Sequence, residues 1–144
     1  RDSDVRECII HGASPFRALM SGVREKGENY TCIIDGQPIC MFGVNPIMNS
    51  MIGRIWLLGS YEIENRRRKF VRWSQSVVNY YQEQYYQLEN VVPADHTDTI
   101  EWLEFLGFEL MTPAIKLNSF KVFRFVRCKG DEILINKEEQ PIQC

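Results

Sequence analysis

The chain has 144 residues, of which 44% are hydrophobic and 25% are charged, a composition that suits one globular domain and excludes a chain disordered as a whole. No apolar run approaches the roughly 20 residues that a membrane-spanning helix needs. The formal net charge of −2 argues against general electrostatic binding to nucleic acid, so we expect no specific nucleic-acid partner.

Cysteine and histidine residues are too dispersed in this sequence to predict a metal site. No CxxC pair occurs, and no cluster of the two residue types has the spacing of a zinc site. The five cysteines are Cys8, Cys32, Cys40, Cys128 and Cys144. We therefore expect no bound metal.

Two short helices are predicted before the first strand. Arg1–Ile10 reads as the tail of a helix, and Gly12 is suited to a left-handed cap. Ser14 is a good N-cap, and Pro15 loses nothing at the first helical position because its N–H would be unpaired there. The second helix carries an apolar face at helical spacing, formed by Phe16, Leu19, Met20 and Val23.

Three strands are predicted next. Tyr30–Ile34 and Ile39–Val44 are rich in β-forming residues, and the Asp35-Gly36 pair between them is a strong hairpin signal. Ile52–Leu58 is an apolar run bounded by glycine, which indicates a buried strand.

The second half alternates helices and strands. Glu62–Tyr86 is predicted as one long amphipathic helix, and Thr97 as the cap of a helix over Asp98–Leu106. Gly107 follows at a position where a helix C-terminus favours a left-handed residue. The remaining predicted strands are Leu88–Val92, Phe108–Met111 and Phe120–Cys128.

This order of elements predicts an α/β domain. Alternating strands and helices over residues 52–110 imply right-handed parallel crossovers, whereas the early hairpin implies an antiparallel half. We therefore expect a mixed twisted sheet of about six strands with helices on both faces. The single domain is expected over residues 1–128, followed by a polar tail over residues 129–144.

The run from His96 to Phe108, HTDTIEWLEFLGF, resembles the C-terminal signature of the GNAT acetyltransferases. In that family an Asn opens the helix and a Gly-Phe pair closes it, as Gly107-Phe108 does here. The hairpin, the buried strand and the long helix also stand where the family has them. The resemblance implies a GNAT-like fold over most of the chain.

A narrower resemblance rests on three segments, Met41–Val44, Trp56–Ser60 and Trp102–Phe108. Together they are similar to a small family of GNAT-like internal virion proteins of short-tailed bacteriophages. Members begin with one more strand and helix, so we expect the first strand to be missing from a chain that starts at Arg1. The resemblance implies synthesis in the host bacterial cytoplasm, location in the virion, and other phage virion proteins as partners.

The GNAT resemblance also implies where acetyl-CoA would bind. In the enzymes, backbone N–H groups hold its pyrophosphate where the central strand turns into the long helix, and a Gly-x-Gly run lets the backbone approach. No such run follows Gly59, and the first-turn acids Glu62 and Glu64 would repel the anion. The implied cofactor-binding candidates are Leu58, Gly59, Ser60, Arg66 and His96.

The basic run Arg66–Lys69 has two interpretations. It could clamp phosphate, or it could be the solvated face of an amphipathic helix. Four successive residues span more than one helical turn and cannot all face one phosphate pair. The solvated face is therefore the favoured interpretation.

Candidate catalytic residues are few. The GNAT enzymes often carry a tyrosine as general acid where this chain has Leu103, which cannot transfer a proton. His96 replaces the family's Asn and could act as a base near neutral pH, or it could be a solvated loop residue. Glu62 could act as a base through water, or it could be an ordinary acid in the first helical turn.

Two functions remain open on this sequence. The favoured one is a virion structural or assembly protein that has the GNAT fold with a degenerate acyl-CoA site. The alternative is an active acetyl-CoA-dependent N-acetyltransferase with a divergent cofactor loop, and acetyl-CoA is the expected cofactor only in that case. Exposed aromatic residues at the end of the long helix, Tyr80 and Tyr86 with Trp73, would favour a protein interface.

Overall fold

The computed structural model describes residues 1–25 and 27–130, which form one six-stranded sheet with helices on both faces. Five helices occur in this part of the chain: α1 (Asp2–Ile10), α2 (Pro15–Arg24), α3 (Glu62–Asn65), α4 (Arg67–Gln84) and α5 (Thr97–Phe105). The strands are β1 (Glu28–Ile34), β2 (Gln37–Pro46), β3 (Ile52–Gly59), β4 (Gln87–Pro93), β5 (Glu109–Leu117) and β6 (Phe120–Cys128). The prediction of a mixed α/β fold is confirmed.

Local sequence signals position the first half of the sheet. Asp35 and Gly36 adopt φ angles of 53° and 76° at the turn between β1 and β2, as the hairpin signal predicted. Ser14 caps α2, because its side chain accepts a hydrogen bond from the Arg17 N–H at 3.3 Å. β2 then pairs antiparallel with β3, so the first three strands form a continuous meander.

The strand order is β1-β2-β3-β4-β6-β5, and both predicted crossovers join parallel strands. β3 and β4 are parallel neighbours, as expected from the helical crossover between them. The strand after α5, β5, also runs parallel to β4, as the second crossover predicted, although β6 lies between the two and is antiparallel to both. The tight Asn118-Ser119 turn explains this, because it folds β6 back onto β5 as a hairpin.

The prediction of a single long helix over Glu62–Tyr86 is wrong at its start. Arg66 leaves the helical region with φ −126° and ψ 22°, and it separates the short α3 from α4. The Arg66 guanidinium reaches across to the hairpin turn, where Nη1 donates to Asp35 Oδ2 at 2.7 Å. Helical periodicity contains no information about this contact between distant segments.

The core lies between α4, α5 and one face of the sheet. Phe42 of β2 packs edge-on against Trp73 of α4, with ring centroids 4.8 Å apart. On the opposite face, Trp56 of β3 packs against α2 so closely that a Cβ on Gly22 would lie 2.8 Å from its ring. The predicted apolar face of α2 is only partly buried, because Phe16 is 72% exposed.

The last described strand, β6, ends at Cys128, and the domain bounds of residues 1–128 stay a prediction. The Lys129 N–H donates to the Tyr86 carbonyl at 2.7 Å. The remainder of the predicted polar tail, residues 131–144, lies outside the described residues. Across residues 1–25 and 27–130, no helix has the length and apolar character to cross a bilayer.

Candidate functional site

The candidate site is the opening between β3 and β4. These parallel strands pair at only three positions, from Ile52–Arg54 to Gln87–Glu89, and then separate. A side chain bridges the gap where the pairing stops, because Asn90 Nδ2 donates to the Ile55 carbonyl at 2.6 Å. The backbone of β3 beyond Ile55 therefore faces an opening in the sheet.

A cavity of about 110 Å³ occupies this opening. Aromatic and aliphatic side chains form most of its wall, among them Ile55, Leu57, Trp73, Val77, Tyr81 and Trp102. Two buried polar atoms on the lining residues, the Tyr81 hydroxyl and Trp56 Nε1, have no hydrogen-bond partner in the described part of the chain. Burial raises the pKa of Tyr81, so its hydroxyl is a neutral donor and no base.

The predicted cofactor turn at the end of β3 is occupied by groups of the chain itself. The Gly59 N–H donates to the Asp4 carboxylate, and the Gly59 carbonyl accepts from the Arg1 backbone nitrogen at 2.9 Å. Ser60 donates through both its N–H and its hydroxyl to the Ile39 carbonyl, at 2.8 and 2.9 Å. The donors of Gly59 and Ser60 are therefore engaged within the protein.

Asp4 is itself held in place by several contacts. Only 5% of it is exposed, and its carboxylate receives the Arg1 guanidinium at 2.8 Å and the Ser3 hydroxyl at 3.2 Å. α1 thus places a carboxylate on the strand end where the GNAT resemblance placed an anionic cofactor. A second anion at this point would be repelled by the Asp4 carboxylate and would have to displace the contacts around it.

Glycine at position 59 is explained by packing. A Cβ on Gly59 would lie 2.3 Å from Ile63 Cδ1, inside the buried contact between β3 and α3. Leu58, the neighbouring candidate, is half-buried. The absence of a side chain at residue 59 lets α3 approach the strand closely.

Of the charged candidates, Arg66 forms the α3–α4 break and Glu62 begins α3. Arg66 is directed at the Asp35 carboxylate, and its Nε lies 3.9 Å from Glu62 Oε2. Arg67, Arg68 and Lys69 are exposed, which agrees with the interpretation of this run as a solvated face.

His96 contacts an acid that the sequence did not indicate as functional. Its Nδ1 lies 3.2 Å from Glu7 Oε1, and Glu7 lines the cavity. Burial raises the pKa of Glu7 to about 7, the charge of Asp4 adds to this, and Arg1 opposes it. Burial also lowers the pKa of His96, against the opposing effect of Asp95. Because burial favours the neutral form of each group, a neutral hydrogen bond describes the pair better than an ion pair.

A weak sequence signal for Glu7 does exist. Asp4, Glu7 and Cys8 share one face of α1 by their spacing, and Asp4 and Cys8 are buried. An acid beside a buried thiol on the inner face of a helix is uncommon. The sequence alone does not show which face of α1 is buried, so this signal did not single out Glu7.

The position of the GNAT general acid holds no proton donor. Leu103 is 3% exposed and belongs to the core, and the indole Nε1 of its neighbour Trp102 donates to the Ser74 hydroxyl at 3.1 Å. In residues 1–25 and 27–130, no group of three potential metal-ligating side chains comes together.

The architecture is that of the GNAT acetyltransferases. An acetyltransferase from Bacillus subtilis in complex with CoA is similar at TM-score 0.63 and 11% identity, over 80% of this chain and 85% of that one. An IAA acetyltransferase from Bacillus cereus is similar at TM-score 0.58 and 13% identity, over 78% and 84%. A ribosomal-protein-alanine N-acetyltransferase from Brucella melitensis is similar at TM-score 0.59 and 12% identity, over 79% of this chain and 76% of that one.

These similarities confirm the predicted GNAT fold and, at such low identity, establish the fold alone. No protein-family model matches the sequence, and no curated protein matches it. The narrower resemblance to phage internal virion proteins therefore stays a prediction, as do the cofactor-binding and catalytic roles of Leu58, Gly59, Ser60, Glu62, Arg66 and His96.

Proposed function

We propose that this chain is a non-catalytic GNAT-fold protein with a degenerate acyl-CoA site and a structural or assembly role in a bacteriophage virion. In this proposal it is made in the host bacterial cytoplasm and works with other phage virion proteins. One observation carries the proposal's biochemical part: the Asp4 carboxylate holds the Gly59 N–H at the strand end where a phosphate would bind.

Electrostatic repulsion supports this proposal. Two unit charges about 4 Å apart repel by about 4 kcal/mol at the effective dielectric constant of a protein surface. A pyrophosphate beside Gly59 would meet this repulsion from Asp4, partly offset by the Arg1 guanidinium, unless Asp4 gave up its four hydrogen bonds with Arg1, Ser3 and Gly59. Asn90 shortens the opening at its base, because its amide joins β3 and β4 one position beyond their backbone pairing.

Acyl-CoA binding is tested by the melting temperature with and without millimolar acetyl-CoA. The Bacillus subtilis acetyltransferase that crystallised with CoA is the positive control. A ligand at 100 times its dissociation constant adds about 2.7 kcal/mol of stability, which moves the melting temperature by several degrees. We expect no such shift for this chain, and a shift of several degrees would contradict the closed-site proposal.

The virion role needs a separate test. Quantitative mass spectrometry of purified particles of the encoding phage should detect the chain at a fixed ratio to the capsid protein. Gradient fractions that contain only soluble lysate proteins are the control. A chain that remains with those fractions and is absent from particles would contradict a virion role.

A second candidate function is supported by the Glu7–His96 pair. A carboxyl group with a pKa of about 7 on the wall of the cavity could accept the proton of an attacking amine. This is the alternative of an active acetyl-CoA-dependent N-acetyltransferase with a divergent loop, and acetyl-CoA would be its cofactor. The similar solved structures of acetyltransferases support it at the level of fold.

The enzyme alternative is tested by release of free CoA thiol from acetyl-CoA, with spermidine and an N-terminal alanine peptide as acceptors. If Glu7 is the base, Glu7→Gln removes turnover, whereas Glu83→Gln, at an exposed carboxylate outside the cavity, does not. Turnover that survives Glu7→Gln would contradict this assignment. No turnover with either acceptor agrees with the non-catalytic proposal.

A further inference from the structure

A second, larger groove adjoins the sheet opening. Its volume is about 910 Å³, and it runs between the start of α1, the α3–α4 break and α5. Two aromatic rings on its wall are mostly exposed, Tyr61 at 58% and Phe105 at 57%. Exposed aromatic side chains beside polar groups are typical of surfaces that bind another molecule.

The charge of this groove is strongly negative. Five carboxylates line it, Asp2, Glu64, Asp95, Asp98 and Glu101, against two cationic side chains, Arg1 and Arg67. All five acids are exposed. Burial lowers the pKa of His96, so this side chain adds no positive charge to the groove at neutral pH.

Much of this negative charge is uncompensated. Arg1 is committed to the buried Asp4, and Asp95 pairs with Arg6 at the edge of the groove. Within residues 1–25 and 27–130, Glu64, Asp98 and Glu101 form no ion pair. Three carboxylates and two aromatic rings are thus available to a ligand.

We propose that this groove binds an arginine-containing basic segment of a partner protein. A guanidinium group donates to carboxylates and also stacks on aromatic faces, so it uses both features of the wall. The groove extends over parts of three helical elements, which suits an extended peptide with several side chains better than one small cation. A phosphate-bearing ligand is disfavoured by the same charge.

This inference goes beyond the proposed function and does not rest on it. Arg1, Thr99 and Trp102 line both the groove and the cavity, but the carboxylates and the exposed rings of the groove do not line the cavity. Failure of peptide binding and failure of the closed-site proposal are therefore separate results, measured with different ligands.

The test is fluorescence anisotropy of a labelled peptide of alternating arginine and glycine, titrated with the intact chain at low ionic strength. We expect binding that weakens with added salt. Glu64→Gln combined with Glu101→Gln should weaken it about tenfold, from two exposed charge contacts. Phe105→Ala should weaken it about threefold, through loss of a cation–π contact.

Matched controls lie outside the groove. Glu83→Gln removes an exposed carboxylate of α4, and Phe16→Ala removes a ring that is 72% exposed. Neither should change the affinity, and melting temperatures confirm that each variant is folded. Equal weakening by the controls, no binding of the peptide, or equally tight binding of free spermidine or of a glutamate–glycine peptide would each overturn the proposal.

Discussion

Two regions on either side of the sheet opening behave differently. On one side the end of α5 packs as the GNAT resemblance implied, with Leu106 and Phe108 each 3% exposed. Gly107 has a φ of 84°, as a left-handed helix end requires. On the other side, at the end of β3, the Gly59 N–H donates to the Asp4 carboxylate, where the GNAT resemblance implied a cofactor phosphate as acceptor.

The difference shows which constraints belong to the fold and which belong to the chemistry. α5 and the residue after it contribute Leu103 and Leu106 to the apolar core, where a change in side-chain volume lowers stability. A backbone N–H at a strand end needs only some acceptor, and a carboxylate of the chain satisfies it as well as a phosphate would. The fold therefore persists without the ligand.

The largest effect is expected at the packed side. Leu103→Ala removes most of a side chain that is 3% exposed and leaves a cavity, so it should lower the free energy of unfolding by about 2–5 kcal/mol. Chemical denaturation measures this. Phe105→Ala, on the same helix and 57% exposed, should change it by under about 0.5 kcal/mol. Equal losses would mean that the two sides of α5 are not distinguished by packing.

The next largest effect is expected at the end of β3. Asp4→Ala removes the acceptor of the Gly59 N–H and the partner of Arg1, and should cost about 1–3 kcal/mol. Asp2→Ala, at an exposed acid of the same helix, is the control in the same denaturation experiment. If both variants lost equally little, Asp4 would not be the group that closes this site.

A pH dependence is expected from Glu7. Its raised pKa means that the protonated carboxyl stabilises the fold fully below pH 4.5, and this contribution is lost as pH rises through about 7. The stability of the wild type relative to Glu7→Gln should therefore fall between those values. His96 has a lowered pKa and acts in the opposite sense, but it is present in both proteins.

Denaturation curves across this pH range measure the difference, with Glu83→Gln as the control that should show none of it. A difference between wild type and Glu7→Gln that stays constant from pH 4.5 to 7 would show that Glu7 titrates normally.

The smallest effect is expected at the α3–α4 break. Arg66→Ala removes an ion pair with Asp35, which is 77% exposed, and should cost under about 1 kcal/mol. The loss should shrink further in high salt, because solvent-exposed pairs are screened. A salt-independent loss of several kcal/mol would instead mean that Arg66 determines how α4 starts.

The sequence predicted the parts of this molecule that depend on local signals. The Asp35-Gly36 turn, the Ser14 cap and the apolar end of α5 each follow from residues close together in the chain. The break at Arg66 and the placement of β6 beside β4 depend on contacts between distant segments, which periodicity does not contain. For the same reason Glu7 was missed, because its surroundings come from α1 and the segment before α5 together.

The short pairing between β3 and β4 has a consequence for how the domain holds together. Each half of the sheet, β1–β2–β3 and β4–β6–β5, is built from strands that are near one another in sequence. The two halves meet at three residue pairs and the Asn90 bridge, with α4 lying across them. We therefore expect the two halves to separate at the β3–β4 junction before either half unfolds. Within the sheet, amide hydrogen exchange should be fastest at this junction.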